Sequence, residues 1–111
     1  MVYAADHPAL AVLEVRVHLD LPPELLPADY VLMRLALPDD VRALPALPDD
    51  PRATGDAWMA EAGSAVLRVP SVLVPASMNL LLNPAHPAAG AARIEAIDDF
   101  AFDPRLWLGA R

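Results

Sequence analysis

The sequence predicts an α+β domain with a mixed or antiparallel sheet and short helices, and three observations carry that expectation. Helix-like and strand-like segments follow one another without the regular βαβ spacing of a doubly wound sheet. Thirteen prolines in 111 residues cut the apolar runs into lengths suited to short strands and tight bends. Hydrophobic residues make up 56% of the chain, enough for one core, while the length leaves no room for two, so residues 1–111 read as a single domain.

The first helix is expected from about Pro8 to Leu19. Pro8 suits a first helical turn, where its missing N–H would have had no partner, and Asp6 or His7 can cap. Leu10, Leu13 and Val17 fall on one face at helical spacing, and Glu14 lies on that same face. Pro22-Pro23 then forces a loop. From Tyr30 to Leu37, Val31, Met33, Leu35 and Leu37 alternate with Leu32, Arg34 and Ala36, which reads as a largely buried strand.

Leu-Pro-Asp-Asp occurs at 37–40 and again at 47–50. Ten residues is too short a period for a solenoid, and both copies have turn chemistry, with one helical turn expected around Val41 to Leu44. Thr54-Gly55-Asp56, then Ala57 to Ala62, then Gly63, has the order of cap, short helix and glycine stop. Ala65 to Val69, Val72 to Val74 and Asn79 to Leu82 read as strands punctuated by Pro70, Pro75 and Pro84. His86 to Ala92 reads as a weak alanine-rich helix and Arg93 to Phe102 as β, and Asp103-Pro104-Arg105-Leu106 closes the domain.

Composition excludes several function classes. The formal net charge of -7 argues against a free-standing nucleic-acid binder, which must neutralise phosphates. Without cysteine there is no disulfide framework, thiolate zinc site or cysteine nucleophile, so any catalysis uses oxygen or nitrogen groups. The longest charge-free stretch, Val69 to Ala85, carries three prolines and falls short of the roughly 20 apolar residues of a membrane helix. Asp6 stands where a signal peptide carries positive charge, so the expected location is the cytoplasm, away from membranes. Four scattered glycines form neither a P-loop nor a dinucleotide fingerprint, and His7, His18 and His86 have no metal-ligand spacing. The pairs Asp39-Asp40, Asp49-Asp50 and Asp98-Asp99 sit in turn-like surroundings and read as solvated loops.

Glu14 stands out because its helix face is otherwise apolar. A carboxylate among Leu10, Leu13 and Val17 loses hydration unless a positive or donor group meets it. It either sits at the rim of the core, reaching water or His18 at i+4, or belongs to an active site. Ser71 at a bend ordinarily bonds its own backbone, and it lacks the flanking glycines of a hydrolase elbow. Asn79 at a strand start has no cheap explanation, Tyr3 lies in a strand-like dipeptide, and Arg68 alternates with apolar neighbours toward solvent.

Taken together, Tyr3-Ala4-Ala5 leading into Ala9 to Val15, then Gly55-Asp56-Ala57-Trp58, Leu67-Arg68-Val69-Pro70-Ser71, Asn79 to Pro87, and Phe100 to Leu106 resemble the RES domain. The segments occur in the family's order along the whole chain, and Val-Pro-Ser with Asn-Pro-x-His-Pro is the specific combination. The resemblance implies a fold similar to ADP-ribosyltransferases and the toxin of a bacterial toxin–antitoxin pair. It implies NAD as substrate, cleaved at the nicotinamide–ribose bond by phosphorolysis, with phosphate as co-substrate, or by hydrolysis, and no metal. Some members are described as ADP-ribosylating a protein. By motif position Glu14 is the active-site glutamate, Tyr3 lines the nicotinamide pocket, and Ser71 and Asn79 are polar groups of the cleft.

The implied partner is a cognate antitoxin with a helix-turn-helix part, so that DNA contact belongs to the partner, and a homodimer within the complex fits the same picture. The alternative from another class is a catalytically silent module that keeps the scaffold for binding. RES domains ordinarily carry an arginine-containing strand and a glycine-rich stretch ahead of the tyrosine segment, so an N-terminally incomplete domain is expected. Leu80 replaces a tyrosine common in the family, and Arg16 and Arg68 are not assumed to substitute for the missing arginines.

Overall fold

The computed structural model describes residues 1–107, so residues 108–111 of the expected domain lie outside the described part. Among the described residues six strands and two helices build an α+β fold. The strands are β1 (Val2–Ala5), β2 (Val31–Ala36), β3 (Val41–Ala43), β4 (Val66–Pro70), β5 (Met78–Leu82) and β6 (Arg93–Asp99), and the helices are α1 (Pro8–Arg16) and α2 (Pro51–Glu61). A four-stranded sheet runs β1-β5-β4-β3, with β3 parallel to β4 and the other neighbours antiparallel. The sheet is therefore mixed, one of the two forms expected. A separate antiparallel pair, β2-β6, stands beside it.

Register divides the main sheet into two faces. Tyr3, Leu81 and Leu67 form one cross-strand row, and Ala5, Asn79 and Val69 form the next on the same side. On this face Trp58 of α2, Leu67 and Leu81 make a buried cluster. Each such side chain contributes about 1.5–3 kcal/mol on burial. The Trp58 indole N–H donates to Ser64 Oγ at 2.9 Å, and Ser64 Oγ in turn donates to the Val66 carbonyl at 2.7 Å, so the buried polar atoms are paired. Ala65, Val66 and Leu82 form a second cluster against Leu37, Leu80, Ala88 and Ala89 of the 3₁₀ turn Pro87–Ala91, and Ala92 just after it.

Several local expectations need correction. Val41–Ala43 is a strand, because pairing with β4 outweighs the local turn signals; Asp40 assists by accepting the Ala65 N–H at 3.2 Å. Helix α2 starts at Pro51, six residues before the expected Ala57. Asp50 caps it by accepting the Ala53 N–H at 3.1 Å, which leaves Thr54 and Gly55 inside the helix. Its stop uses Ala62, one residue before Gly63, in the left-handed region with φ 50°.

Val72 to Val74 is not a strand but part of the turn joining β4 to β5. Residues 87–91 form a 3₁₀ turn rather than an α-helix, capped by His86 Nδ1, which accepts the Ala88 N–H. Asp98 and Asp99 belong to β6 rather than to a turn. Helix α1 ends at Arg16, and of its apolar face only Leu10 is buried, Leu13 and Val17 remaining exposed. Strand β2 is likewise not largely buried: Val31 and Met33 are exposed.

An aromatic chain fixes α1 to the β2-β6 pair. Tyr30 and Phe100 each meet Phe102 edge to face at about 5 Å, and Phe102 reaches Trp107 at 6.0 Å. The Arg16 guanidinium lies 4.2 Å from the Trp107 ring centre and its Nε donates to the Leu106 carbonyl, while the Trp107 indole N–H donates to Leu21. Asp103 fixes the approach to Trp107: Arg105 forks onto its carboxylate, holding that group down at about 2.

Candidate active site

Glu14 is brought to Ser71 across 57 residues of sequence. Helix α1 presents the carboxylate where β4 has just ended, and Ser71 Oγ donates to Glu14 Oε1 at 3.0 Å. The same hydroxyl oxygen accepts the N–H groups of Leu73 at 3.1 Å and Val74 at 3.2 Å. Ser71 itself is fully buried. Its one proton and both lone pairs are therefore committed, and it acts by holding Glu14 against the turn rather than by reaching a ligand. The donor that a carboxylate on an apolar helix face requires is thus Ser71; His18 plays no part in any described hydrogen bond or ion pair to Glu14.

The turn is itself clamped. Ser71 N–H donates to the Ser77 carbonyl, and Asp6 bridges β1 to β5 by donating its own N–H to Met78 and accepting the Met78 N–H on its carboxylate. This doubled contact holds the end of β1, and so the start of α1, over the first residue of β5. The location of Glu14 follows from that clamp.

Beside this pair lies a cleft of about 350 Å³ between the sheet face and the segment that leads into α2. Tyr3 and Asn79 line it, and so do Pro70 and Val72, the two neighbours of Ser71. Tyr3 as a residue remains 58% exposed. Its hydroxyl is nevertheless held above the usual phenol range, first by desolvation of that end of the side chain and second by the Glu14 carboxylate, whose charge opposes ionisation. Tyr3 therefore stays a neutral donor within the field of Glu14.

Asn79 is 1% exposed, and its Nδ2 donates to the Ala4 carbonyl at 3.4 Å, bracing β1 against β5 at the cleft wall. That contact is its cheap explanation. Asn83 does a comparable job outside the cleft, donating to the Met59 carbonyl of α2 and accepting the Ala85 N–H.

Of the four residues expected at the site, Tyr3 and Asn79 line the cleft, whereas Glu14 and Ser71 do not line it and connect to it through Pro70 and Val72 and through the charge that Glu14 exerts on Tyr3. Sequence reasoning missed the opposite wall. Arg52, Thr54, Gly55 and Asp56 line the cleft from the first two turns of α2. The signal was present in Asp50-Pro51, an N-cap followed by a first-turn proline, which places Arg52 at the helix start. Arg68 is exposed and Arg16 is engaged with Trp107, so neither lines the cleft. Among the described residues no three His, Asp or Glu side chains are grouped to hold a metal ion, and no helix is long and apolar enough to cross a membrane.

Known proteins share this pattern over nearly the whole chain. The RES domain model matches residues 1–105. A protein named Toxin Res from Pseudomonas putida is 40% identical over 96% of this chain and 79% of its own length. The Prs ADP-ribosylating toxin of a Sphingobium species is 37% identical over 96% of this chain and 74% of its own. A Toxin Res from Yersinia enterocolitica is 32% identical over 95% of this chain and 76% of its own. With the family model and relatives both spanning the residues that build the cleft, the chain belongs to the RES domain family.

Proposed function

We propose that this chain is a toxin that consumes NAD by breaking its nicotinamide–ribose bond. The observation that carries the reading is the Glu14 carboxylate, fixed by the buried Ser71 hydroxyl beside a cleft lined by Tyr3. Departure of nicotinamide takes the bonding electron pair onto the pyridinium nitrogen and leaves an oxocarbenium-like ribose. A carboxylate held in place stabilises that cation without waiting for solvent to reorganise. An oxygen of phosphate then bonds to the ribose carbon and gives a sugar phosphate, or water attacks and releases one proton. Tyr3, neutral and half exposed, offers a ring face for the nicotinamide and a hydroxyl donor for its amide.

The toxin part of the proposal is supported by the relatives' names. A cognate antitoxin covering the cleft, and action in the cytoplasm where NAD is consumed, follow from the same reading. A second outcome, transfer of ADP-ribose to a protein acceptor, is favoured by the name of the Sphingobium relative. Incubating the purified chain with NAD, with and without phosphate, and measuring nicotinamide release tests the proposal. Turnover is expected, with Glu14→Gln reducing it about 10²–10³-fold. Product mass distinguishes phosphate, water and protein acceptors. Absence of nicotinamide release both with and without phosphate would leave only a binding module.

A further inference from the structure

The β2-β6 pair carries an apolar face that no other described residue covers. Register places Val31, Met33 and Leu35 of β2 opposite Asp99, Ile97 and Ile94 of β6 on one side, and the irregularity after Arg34 leaves Glu95 as the extra residue of β6. Four of these apolar side chains are about half exposed: Val31 46%, Met33 49%, Ile94 55% and Ile97 58%. Arg34 and Arg93 alternate onto the opposite face, so among the described residues the register gives the apolar one the acidic Asp99 and no cation, with the exposed Glu95 in the irregularity beside it.

We infer that this face docks one amphipathic helix of a partner protein, apolar on the seated side and flanked by Lys or Arg. Area and charge select that occupant. The four side chains expose on the order of 400 Å², about half the roughly 800 Å² per partner of a stable two-protein interface. A second copy of this chain would also bring Asp99 and Glu95 against their own equivalents, within an overall charge of -7. From Val31 to Leu35 the face runs four residue steps, roughly 13 Å. An α-helix of about nine residues spans that length, presenting anchors at i, i+4 and i+7. The inference is independent of any NAD chemistry, since Glu14 lies on another element.

The probe is a pair of synthetic helical peptides of about twelve residues with identical leucine anchors, one flanked by Arg and the other by Glu. Binding is followed by NMR of the labelled full chain. Shift changes are expected at residues 31–35 and 94–99, with the Arg-flanked peptide about tenfold tighter and that preference shrinking at high salt. Ile97→Asp should abolish the shifts, and Ile97→Thr, which keeps strand preference, should weaken them at least severalfold with the rest of the spectrum preserved. Equal binding of the two peptides, shifts elsewhere, or a sedimenting dimer whose amide protection maps to the same face would overturn the proposal.

Discussion

Replacing Ser71 by alanine removes three hydrogen bonds at one atom. One is to an ionised carboxylate, of a class that contributes about 1.5–3 kcal/mol, and two are to backbone N–H groups, each about 1 kcal/mol. The full loss is not expected, because Leu73 is 40% exposed and the turn can open to water, so about 2–3 kcal/mol is the expected destabilisation. Urea unfolding measures it. The kinetic consequence is separate: Glu14 loses the contact that fixes its carboxylate, and a misplacement of about 1 Å costs up to 10²-fold. Under the proposed NAD reaction kcat should fall by that factor while KM changes little, since Ser71 is sealed from the cleft. Ser71→Thr keeps the hydroxyl and should restore most of kcat. A Ser71→Ala chain that loses stability yet retains kcat within twofold would refute the positioning role and leave Ser71 a turn residue.

Two further outcomes follow from charge and backbone geometry. The Tyr3 hydroxyl titrates above its ordinary value of about 10, so the neutral form is favoured in the folded chain; the associated stability is present below about pH 10 and is lost as pH rises through the higher folded value. Glu14→Gln removes the charge component but not the desolvation, so the Tyr3 midpoint, followed by tyrosinate absorbance with Tyr3→Phe as reference, should move down only part of the way. Ala62 holds a left-handed conformation at φ 50°, which disfavours a side chain, and Ala62→Gly is expected to raise the thermal midpoint, corresponding to roughly 0.5–1 kcal/mol.

What was legible in the sequence was chemistry with a local cause. Pro8 with a capping side chain marked the start of α1, and the prolines correctly bounded β4 and β5. Where local and long-range causes competed, the local reading failed. Val41–Ala43 has turn residues on both sides and too few residues to declare a period, yet three register pairs with β4 make it a strand. Val72 to Val74 is as β-branched as any strand in the chain, yet Ser71 Oγ takes two of its N–H groups and curls it into a turn. The apolar composition of β2 predicts a largely buried strand, but alternation alone does not say whether a second layer exists to cover it.

The site was legible for a different reason than the fold. Glu14 announced itself as a mismatch between residue and face, and such a mismatch needs a partner, but the partner's identity is a tertiary fact. Ser71 supplies it only because Asp6, just ahead of α1, ties the end of β1 to Met78 and the Ser71 backbone ties to Ser77, so the two ends of one turn are held beside α1. That construction also explains why Asn79 is buried where a leucine would fit the strand pattern. It donates to the Ala4 carbonyl, and a leucine there would leave that contact unmade at the point where β1 must hand the chain to the helix carrying Glu14. The polar residues of the turn and of β5 thus serve the carboxylate by fixing the backbone around it, leaving Tyr3 and the first turns of α2 to face the ligand.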